Sequence, residues 1–138
     1  MEFNLEIFVN DELLINNPII PNKPSKIHHD RIPLIIKIHN QTNRVFDLSR
    51  WRFGLLAPNF ITKIETRELS SKEYRTNLEN DNLFHMDIIH DMLLPDDWQQ
   101  YIVTLRSDYN LGQSVIQFAL KVFGEIAPKE YLFRIQIE

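Results

Sequence analysis

The amino-acid sequence predicts an all-β protein: an antiparallel β-sandwich of about seven to eight strands, immunoglobulin-like in architecture, forming one domain over residues 1–138. Three observations lead to this prediction. Apolar residues alternate with polar ones in five segments, which is the pattern of a strand with one buried face. Polar turn-forming residues separate these segments. The length is ordinary for one domain, and a domain of this size can bury a sufficient core without a disulfide or a metal ion.

Each of the five strands has an inward-facing set of alternating apolar residues. In chain order these sets are Phe3, Leu5, Ile7 and Val9; Leu34, Ile36 and Ile38; Tyr101, Val103 and Leu105; Ile116, Phe118, Leu120 and Val122; and Tyr131, Phe133, Ile135 and Ile137. Aromatic and β-branched side chains, which favour strands, dominate all five sets.

The connecting segments predict further elements. The polar segment 40–43 is suited to a hairpin loop, and the segment 94–97 reads as a turn with proline at its second position. After the first loop, the apolar phase shifts by one residue near Ser49, which predicts a bend or bulge.

One short helix is expected near residues 71–79. Ser70 and Glu73 have the spacing of a capping box, and Leu69 and Tyr74 are placed as the hydrophobic staple that often accompanies one.

Composition excludes several functions. The chain has no cysteine and only three glycines, and it lacks the glycine-rich phosphate-binding motifs, so neither thiolate chemistry nor a common nucleotide cofactor is expected. The net charge of −4 argues against a nucleic acid partner. The first residues do not resemble a secretory signal and no segment is apolar enough to span a membrane, so a cytoplasmic location is expected, with no membrane partner.

A metal-dependent enzyme is one hypothesis, because histidine and aspartate cluster in the segment 83–91. His85 and Asp87 share one face of a predicted strand, and His39 could complete the site if its strand were adjacent. The spacing matches no zinc motif, so a strand with a polar side is the preferred interpretation. The pair His28 and His29 is expected in an exposed loop.

The two tryptophans are candidate ligand-binding residues. Trp98 follows a turn with two carboxylates and could stack on a sugar ring, but the preferred interpretation is that it folds back to cap one end of the sandwich. Trp51 lies between Arg50 and Arg52, which suggests a surface for single-stranded nucleic acid, but alternation favours a buried Trp51 with both arginines outside.

A third group of candidates is apolar and faces outward on the predicted strands, where polar residues are usual. These residues are Phe8, Ile35, Ile102, Val115, Phe123 and Leu132. Either the segment 57–82 covers them, or they contact a partner.

The preferred hypothesis is a non-enzymatic protein-binding module that uses these six residues, with another protein or a second copy as its partner. Small acidic domains without catalytic motifs are often immunity proteins, inhibitors or assembly subunits. The alternatives are a carbohydrate-binding or small-ligand-binding sandwich that uses Trp98 and Trp51, and the metal enzyme built on His85, Asp87 and His39.

Overall fold

A computed structural model describes most of the chain, and within the described residues every regular element is a strand. The described ranges are 5–13, 20–21, 31–77, 81–89, 92–108, 114–124 and 129–137. The strands are β1 (Leu5–Val9), β2 (Glu12–Leu13), β3 (Ile20–Pro21), β4 (Arg31–Asn40), β5 (Phe46–Asp47), β6 (Arg52–Pro58), β7 (Ile61–Arg67), β8 (Leu69–Asn77), β9 (Asp81–Ile88), β10 (Met92–Leu93), β11 (Trp98–Ser107), β12 (Ser114–Phe123) and β13 (Lys129–Ile137).

The strands form two large sheets and one small one. The five-stranded sheet has the order β2-β1-β4-β11-β7, and the six-stranded sheet has the order β3-β13-β12-β6-β9-β8. The strands β5 and β10 form a separate two-stranded ribbon. All pairs are antiparallel except β13 with the two-residue β3, which is parallel. The predicted antiparallel β-sandwich is therefore confirmed.

The core lies between the two large sheets and is built from the alternating residues that the sequence predicts to face inward. Tyr101 of the five-stranded sheet meets Phe53 of the six-stranded sheet edge to face, with ring centroids 6.0 Å apart. Phe118 and Phe133 stack on neighbouring strands, with centroids 5.4 Å apart. The inward residues of all five predicted strands are buried wherever the structure describes them.

The predicted helix near 71–79 is wrong. Residues 69–77 form β8, which pairs with β9 at the edge of the six-stranded sheet, and residues 78–80 lie outside the described ranges. A capping box contributes only local hydrogen bonds, whereas pairing with β9 engages the backbone on both sides of an irregularity between Ser71 and Arg75. The described part of the chain contains no helix that could cross a membrane.

Two other expectations are corrected in detail. The loop 40–43 does not close a hairpin, because β5 pairs with β10 rather than with β4. The segment 57–82 does not cover a sheet face, because β7 and β8 extend the two large sheets at their edges. The bend near Ser49 is confirmed as a turn in which Trp51 N donates to Leu48 O at 2.9 Å.

Candidate binding surface

The outer face of the five-stranded sheet carries an exposed tryptophan. Register pairs Glu6 with His39 and His39 with Trp98, so these three residues form one row across β1, β4 and β11. The next row pairs Phe8 with Lys37. Because side chains alternate between faces along each strand, all five of these residues point away from the core.

Trp98 is half exposed, at 52% of its full area, yet it is held by neighbours on one side. The His39 ring stacks on the indole, with centroids 4.3 Å apart and planes 14° apart. The Phe8 ring meets the indole at a tilt of 43°, with centroids 5.3 Å apart. We call Trp98, His39 and Phe8 the tryptophan platform.

The His39 imidazole is fixed by two carboxylates. Its Nδ1 lies 2.8 Å from Glu6 Oε1, and its Nε2 lies 2.9 Å from Asp96 Oδ1. Only the protonated ring can donate from both nitrogens. The hydrogen bond to Glu6, followed by the one to Asp96, raises the pKa of His39 above its ordinary value of 6.5, against the opposing effect of burial.

The turn before β11 brings Asp96 to this position. Asp97 N donates to Leu94 O at 3.1 Å, and Asp96 has a φ of 61°, so the predicted turn 94–97 is confirmed and has the geometry of type II. Glycine is usual at the residue with positive φ in such a turn. Aspartate at this position is less favourable for the backbone than glycine, but it places a carboxylate 2.9 Å from His39 Nε2.

A buried asparagine ties this turn to the end of β4. The side-chain Nδ2 of Asn40 lies within 3.1 Å of the carbonyl oxygens of Leu93, Leu94 and Arg44, and its Oδ1 accepts a hydrogen bond from Thr42 N. The backbone of Asn40 also exchanges hydrogen bonds with the turn residues. The hydrogen bonds of Asn40 therefore hold the turn that precedes Trp98 in place.

The opposite end of the same face is cationic. Register places Arg31, Arg106 and Lys63 side by side on β4, β11 and β7, and it places Arg67 further along β7. We call these four residues the basic corner. Ile35 and Ile102, which are paired and half-buried, lie between Arg106 and the tryptophan platform, and Arg67 is the register partner of Ile102 on β7.

The six predicted contact residues divide between the two outer faces of the sandwich. Phe8, Ile35 and Ile102 share the face just described, whereas Val115, Phe123 and Leu132 lie on the outer face of the six-stranded sheet. They therefore form two surfaces rather than one patch.

On the six-stranded sheet, Val115 and Leu132 border an open apolar groove of about 310 Å³, also lined by Leu56, Pro58 and Phe60. Phe123, unlike Val115, is partly covered by neighbouring residues of the chain. The Arg52 guanidinium lies over its ring, 4.7 Å from the centroid, and a Cβ on Gly54 would lie 3.3 Å from the ring. Neighbours within the chain thus cover part of Phe123.

The remaining candidates do not converge. Trp51 is buried, with 6% exposure, while Arg50 and Arg52 are exposed, so the arginine–tryptophan motif belongs to the core edge rather than to a stacking surface. Trp98 does not cap the end of the sandwich, since it lies on a sheet face. Because the two tryptophans are separated by the core, they do not form one ligand site.

The three metal-ligand candidates lie on opposite sides of the molecule. His39 faces outward from the five-stranded sheet, whereas His85 and Asp87 face outward from the six-stranded sheet. These three side chains cannot share an ion, and the described residues contain no other group of at least three possible ligands. Burial, followed by the charge of Arg52, lowers the pKa of His85. His28, His29 and His90 lie outside the described ranges.

Comparison with known proteins supports the fold alone. No protein-family model matches the sequence, and no curated protein is similar to it. A family 123 glycoside hydrolase from Clostridium perfringens is similar in structure, with a TM-score of 0.52 and 7% identity over 98% of this chain. Weaker likenesses are a non-cellulosomal cohesin from Archaeoglobus fulgidus (TM-score 0.39, 11% identity, 80% of this chain and 83% of the cohesin) and the N-terminal domain of PorA (TM-score 0.43, 12% identity, 96% of this chain and 95% of that domain).

The chain spans only a part of the glycoside hydrolases that it resembles. It covers 27% of the Clostridium perfringens enzyme and 18% of a family 20 exo-β-N-acetylglucosaminidase from Vibrio harveyi. The sheet topology of the described residues defines the class of the chain as a β-sandwich domain.

Sequence reasoning found Trp98 and its turn but missed two features of the surface. The pairing of His39 with Trp98 joins strands far apart in the sequence, and alternation gives no information about which strands are neighbours. The basic corner was missed for the same reason, since its members come from three strands. For the basic corner, the available sequence signal was that Arg31, Lys63 and Arg106 alternate with the buried residues of their strands and therefore face outward.

Proposed function

We propose that this chain is a non-enzymatic protein-binding module, and that it contacts its partner through the outer face of the five-stranded sheet with Trp98 as the main apolar contact. The observation that carries this proposal is the state of Trp98. Its indole is half exposed, yet it is stacked on His39 and flanked by Phe8.

A tryptophan in this state is suited to act as the main contact of an interface. Tryptophan, tyrosine and arginine are enriched among the residues that contribute most to protein–protein affinity. An indole that is already held in one orientation loses little conformational freedom on binding, so more of its contact energy contributes to affinity. The half-buried Ile35 and Ile102 extend the apolar area along the same face.

Site-specific photo-crosslinking tests this proposal. A photoreactive amino acid replaces Gln100, which is exposed on β11 beside Trp98, and in a matched control it replaces Gln117, which is exposed on β12 on the opposite face. We expect a defined protein adduct from position 100, no adduct from position 117, and loss of the first adduct when Trp98→Ala is added.

The adduct partner is then purified and titrated against the unlabelled chain. Removal of a tryptophan that is the main apolar contact is expected to weaken binding at least about tenfold. Equal adducts from the two positions, or affinity unchanged by Trp98→Ala, would contradict the proposal.

A second candidate is carbohydrate binding by the same platform. It is favoured by the flat exposed indole with the Asp96 carboxylate beside it, since stacking and carboxylate hydrogen bonds are a common way to hold a sugar ring. Titration of Trp98 fluorescence with a glycan panel separates the two candidates, with Trp51 replaced by phenylalanine to remove the second signal. A saturable fluorescence response, together with calorimetric binding of the same glycan that Trp98→Ala abolishes, would favour carbohydrate.

The cytoplasmic location belongs to the same proposal, as does a role as an inhibitor, immunity protein or assembly subunit. Fractionation of cells that produce the full natural protein tests the location.

A further inference from the structure

The basic corner brings three cations into direct cross-strand contact on an acidic protein. Arg31 is the register partner of Arg106, and Arg106 is the register partner of Lys63. Side chains directly opposite on one face of an antiparallel pair have Cβ atoms about 5 Å apart, and like charges in such pairs are destabilising. Arg67, two rows away on β7, adds a fourth cation.

On the described strand positions at this end of the face, the carboxylate of Glu65 accompanies the four cations. Glu65 Oε1 accepts a hydrogen bond from Arg106 Nη1 at 3.0 Å. This hydrogen bond, followed by the charges of Arg106, Lys63 and Arg31, lowers the pKa of Glu65. The nearest other acids along the chain are Asp30, which lies outside the described ranges, Glu68, which follows Arg67 between β7 and β8, and Asp108, which accepts a hydrogen bond from Thr62. On the described strand positions at this end of the outer face, the four cations thus outnumber the carboxylate of Glu65, although the whole chain has a net charge of −4.

We propose that the basic corner recognises acidic residues of the protein partner, so that the partner presents a carboxylate-rich segment at one end of the contact and an apolar segment at the other. This inference rests on the proposed function and specifies the chemistry of its partner. Along β11, Arg106 and Trp98 are separated by eight residues, or about 26 Å at 3.3 Å per residue, and Arg67 lies level with Ile102 in the middle of this span. Ile35 and Ile102 occupy the space between Arg106 and Trp98, so an extended segment of about eight residues spans the whole surface.

The distribution of charge favours a protein over a nucleic acid. Phosphates repeat at a constant spacing along a nucleic acid, so an oligonucleotide needs cations along its whole track. At the platform end of this face the exposed charges are largely carboxylates, including Glu6, Asp96 and Asp11, and Lys37 is already paired with Asp11 at 2.7 Å. A partner with acidic residues at one end only fits this asymmetry.

Selection from a random peptide display library against the full chain tests the inference. The probes are the selected peptides, together with an oligothymidylate and a heparin oligosaccharide as competing polyanions. Affinities are measured for the wild type and for the triple variant Arg31→Gln, Lys63→Gln, Arg67→Gln, which leaves the Arg106–Glu65 pair intact. The matched control Arg50→Gln, Arg52→Gln, Lys121→Gln also removes three positive charges. Arg52 and Lys121 belong to the six-stranded sheet, and Arg50 lies in the bend before β6.

We expect selected peptides to combine aspartate or glutamate with aliphatic residues, and to lose at least about tenfold in affinity with the triple variant but less than about twofold with the control. The triple variant should fold with an unchanged or higher Tm, because it relieves repulsion between like charges. A purely structural role for these cations would lower the Tm instead.

Three results would overturn the inference: selected peptides without acidic enrichment, equal loss of affinity in both triple variants, or tighter binding of the oligothymidylate or heparin than of any peptide. Trp98→Ala separates this inference from the proposed function. Acidic peptides that require the basic corner but bind Trp98→Ala normally would support the charge preference and contradict the role of Trp98. Peptides that require Trp98 but not the basic corner would support the role of Trp98 and contradict the charge preference.

Discussion

The imidazole of His39 lies parallel to the indole of Trp98, with centroids 4.3 Å apart, while each of its ring nitrogens contacts a carboxylate. When His39 is protonated, its two hydrogen bonds therefore join β4 to Glu6 of β1 and to Asp96 in the turn between β10 and β11. An imidazolium on an aromatic face also gains an attraction that the neutral ring lacks. The order of the tryptophan platform should consequently depend on the charge of His39.

The first prediction is a pH dependence of stability. The pKa of His39 is raised in the folded state above its unfolded value of 6.5. The folded state then binds the proton more tightly, so the stabilisation is fully present below pH 6.5 and is lost as pH rises through the folded pKa. Urea unfolding at a series of pH values should show this decline, and NMR titration of His39 should give the raised pKa. In His39→Gln the free energy of unfolding should not change with pH over this range. An unchanged slope in this variant would contradict the assignment of the pH dependence to His39.

The second prediction separates surface from core. Trp98→Ala should lower the free energy of unfolding by about 1 kcal/mol or less, because half of the side chain is already in water. Phe118→Ala should cost about 3–5 kcal/mol, because Phe118 is 1% exposed and stacks on Phe133. Gln117→Ala, on the exposed side of the same strand, should be nearly neutral. Chemical denaturation measures all three, and a Trp98→Ala cost close to that of Phe118→Ala would show that the indole is part of the core.

The third prediction concerns Asn40. Asn40→Ala removes the side-chain amide that donates to the Leu93 carbonyl in a buried position and to the Leu94 carbonyl, which also accepts from Asp97 N. Leaving such a buried group unpaired costs about 1–3 kcal/mol, and the turn that carries Asp96 loses its support. We expect a lower Tm and a smaller upward shift of the His39 pKa by NMR. Asn43→Ala, in the exposed loop that follows, is the control and should change neither.

The fourth prediction concerns metal ions. His39 lies on one outer face and His85 with Asp87 on the other, so we expect no bound ion that depends on all three. Elemental analysis of untagged protein should give the same result for the wild type and for His85→Ala. Stoichiometric zinc, iron or manganese that disappears in His85→Ala would revive the metal-enzyme hypothesis.

Residues that face the core could be predicted from the sequence because burial on one face of a strand leaves a period of two. The sets that begin at Leu5, Leu34, Tyr101, Ile116 and Tyr131 follow that period without interruption. The segment 71–79 failed because its helix-capping pattern is short and local, while its pairing with β9 is a tertiary interaction.

The candidate site could be predicted only in part. The turn before Trp98 was predicted, since Pro95 defines its geometry, but the preferred interpretation of Trp98 as a cap was wrong, because the residue begins β11 and lies on a sheet face. The partners of Trp98 could not be predicted, because they depend on strand order. The outward residues were identified as a set, but their division between two opposite faces depends on which sheet each strand joins.

The pairing of β4 with β11 also determines when the surface can form. His39 and Asp96 are 57 residues apart along the chain, and the described long strands of the five-stranded sheet pair mainly with partners distant in sequence. Because loop closure must precede the gain from such contacts, domains of this kind fold slowly, on a scale of about milliseconds to seconds. During synthesis β4 leaves the ribosome well before β11 and must wait for it with an unpaired edge. A partner that requires the completed row from Glu6 to Trp98 will therefore bind only finished molecules and will discriminate against nascent or misfolded chains.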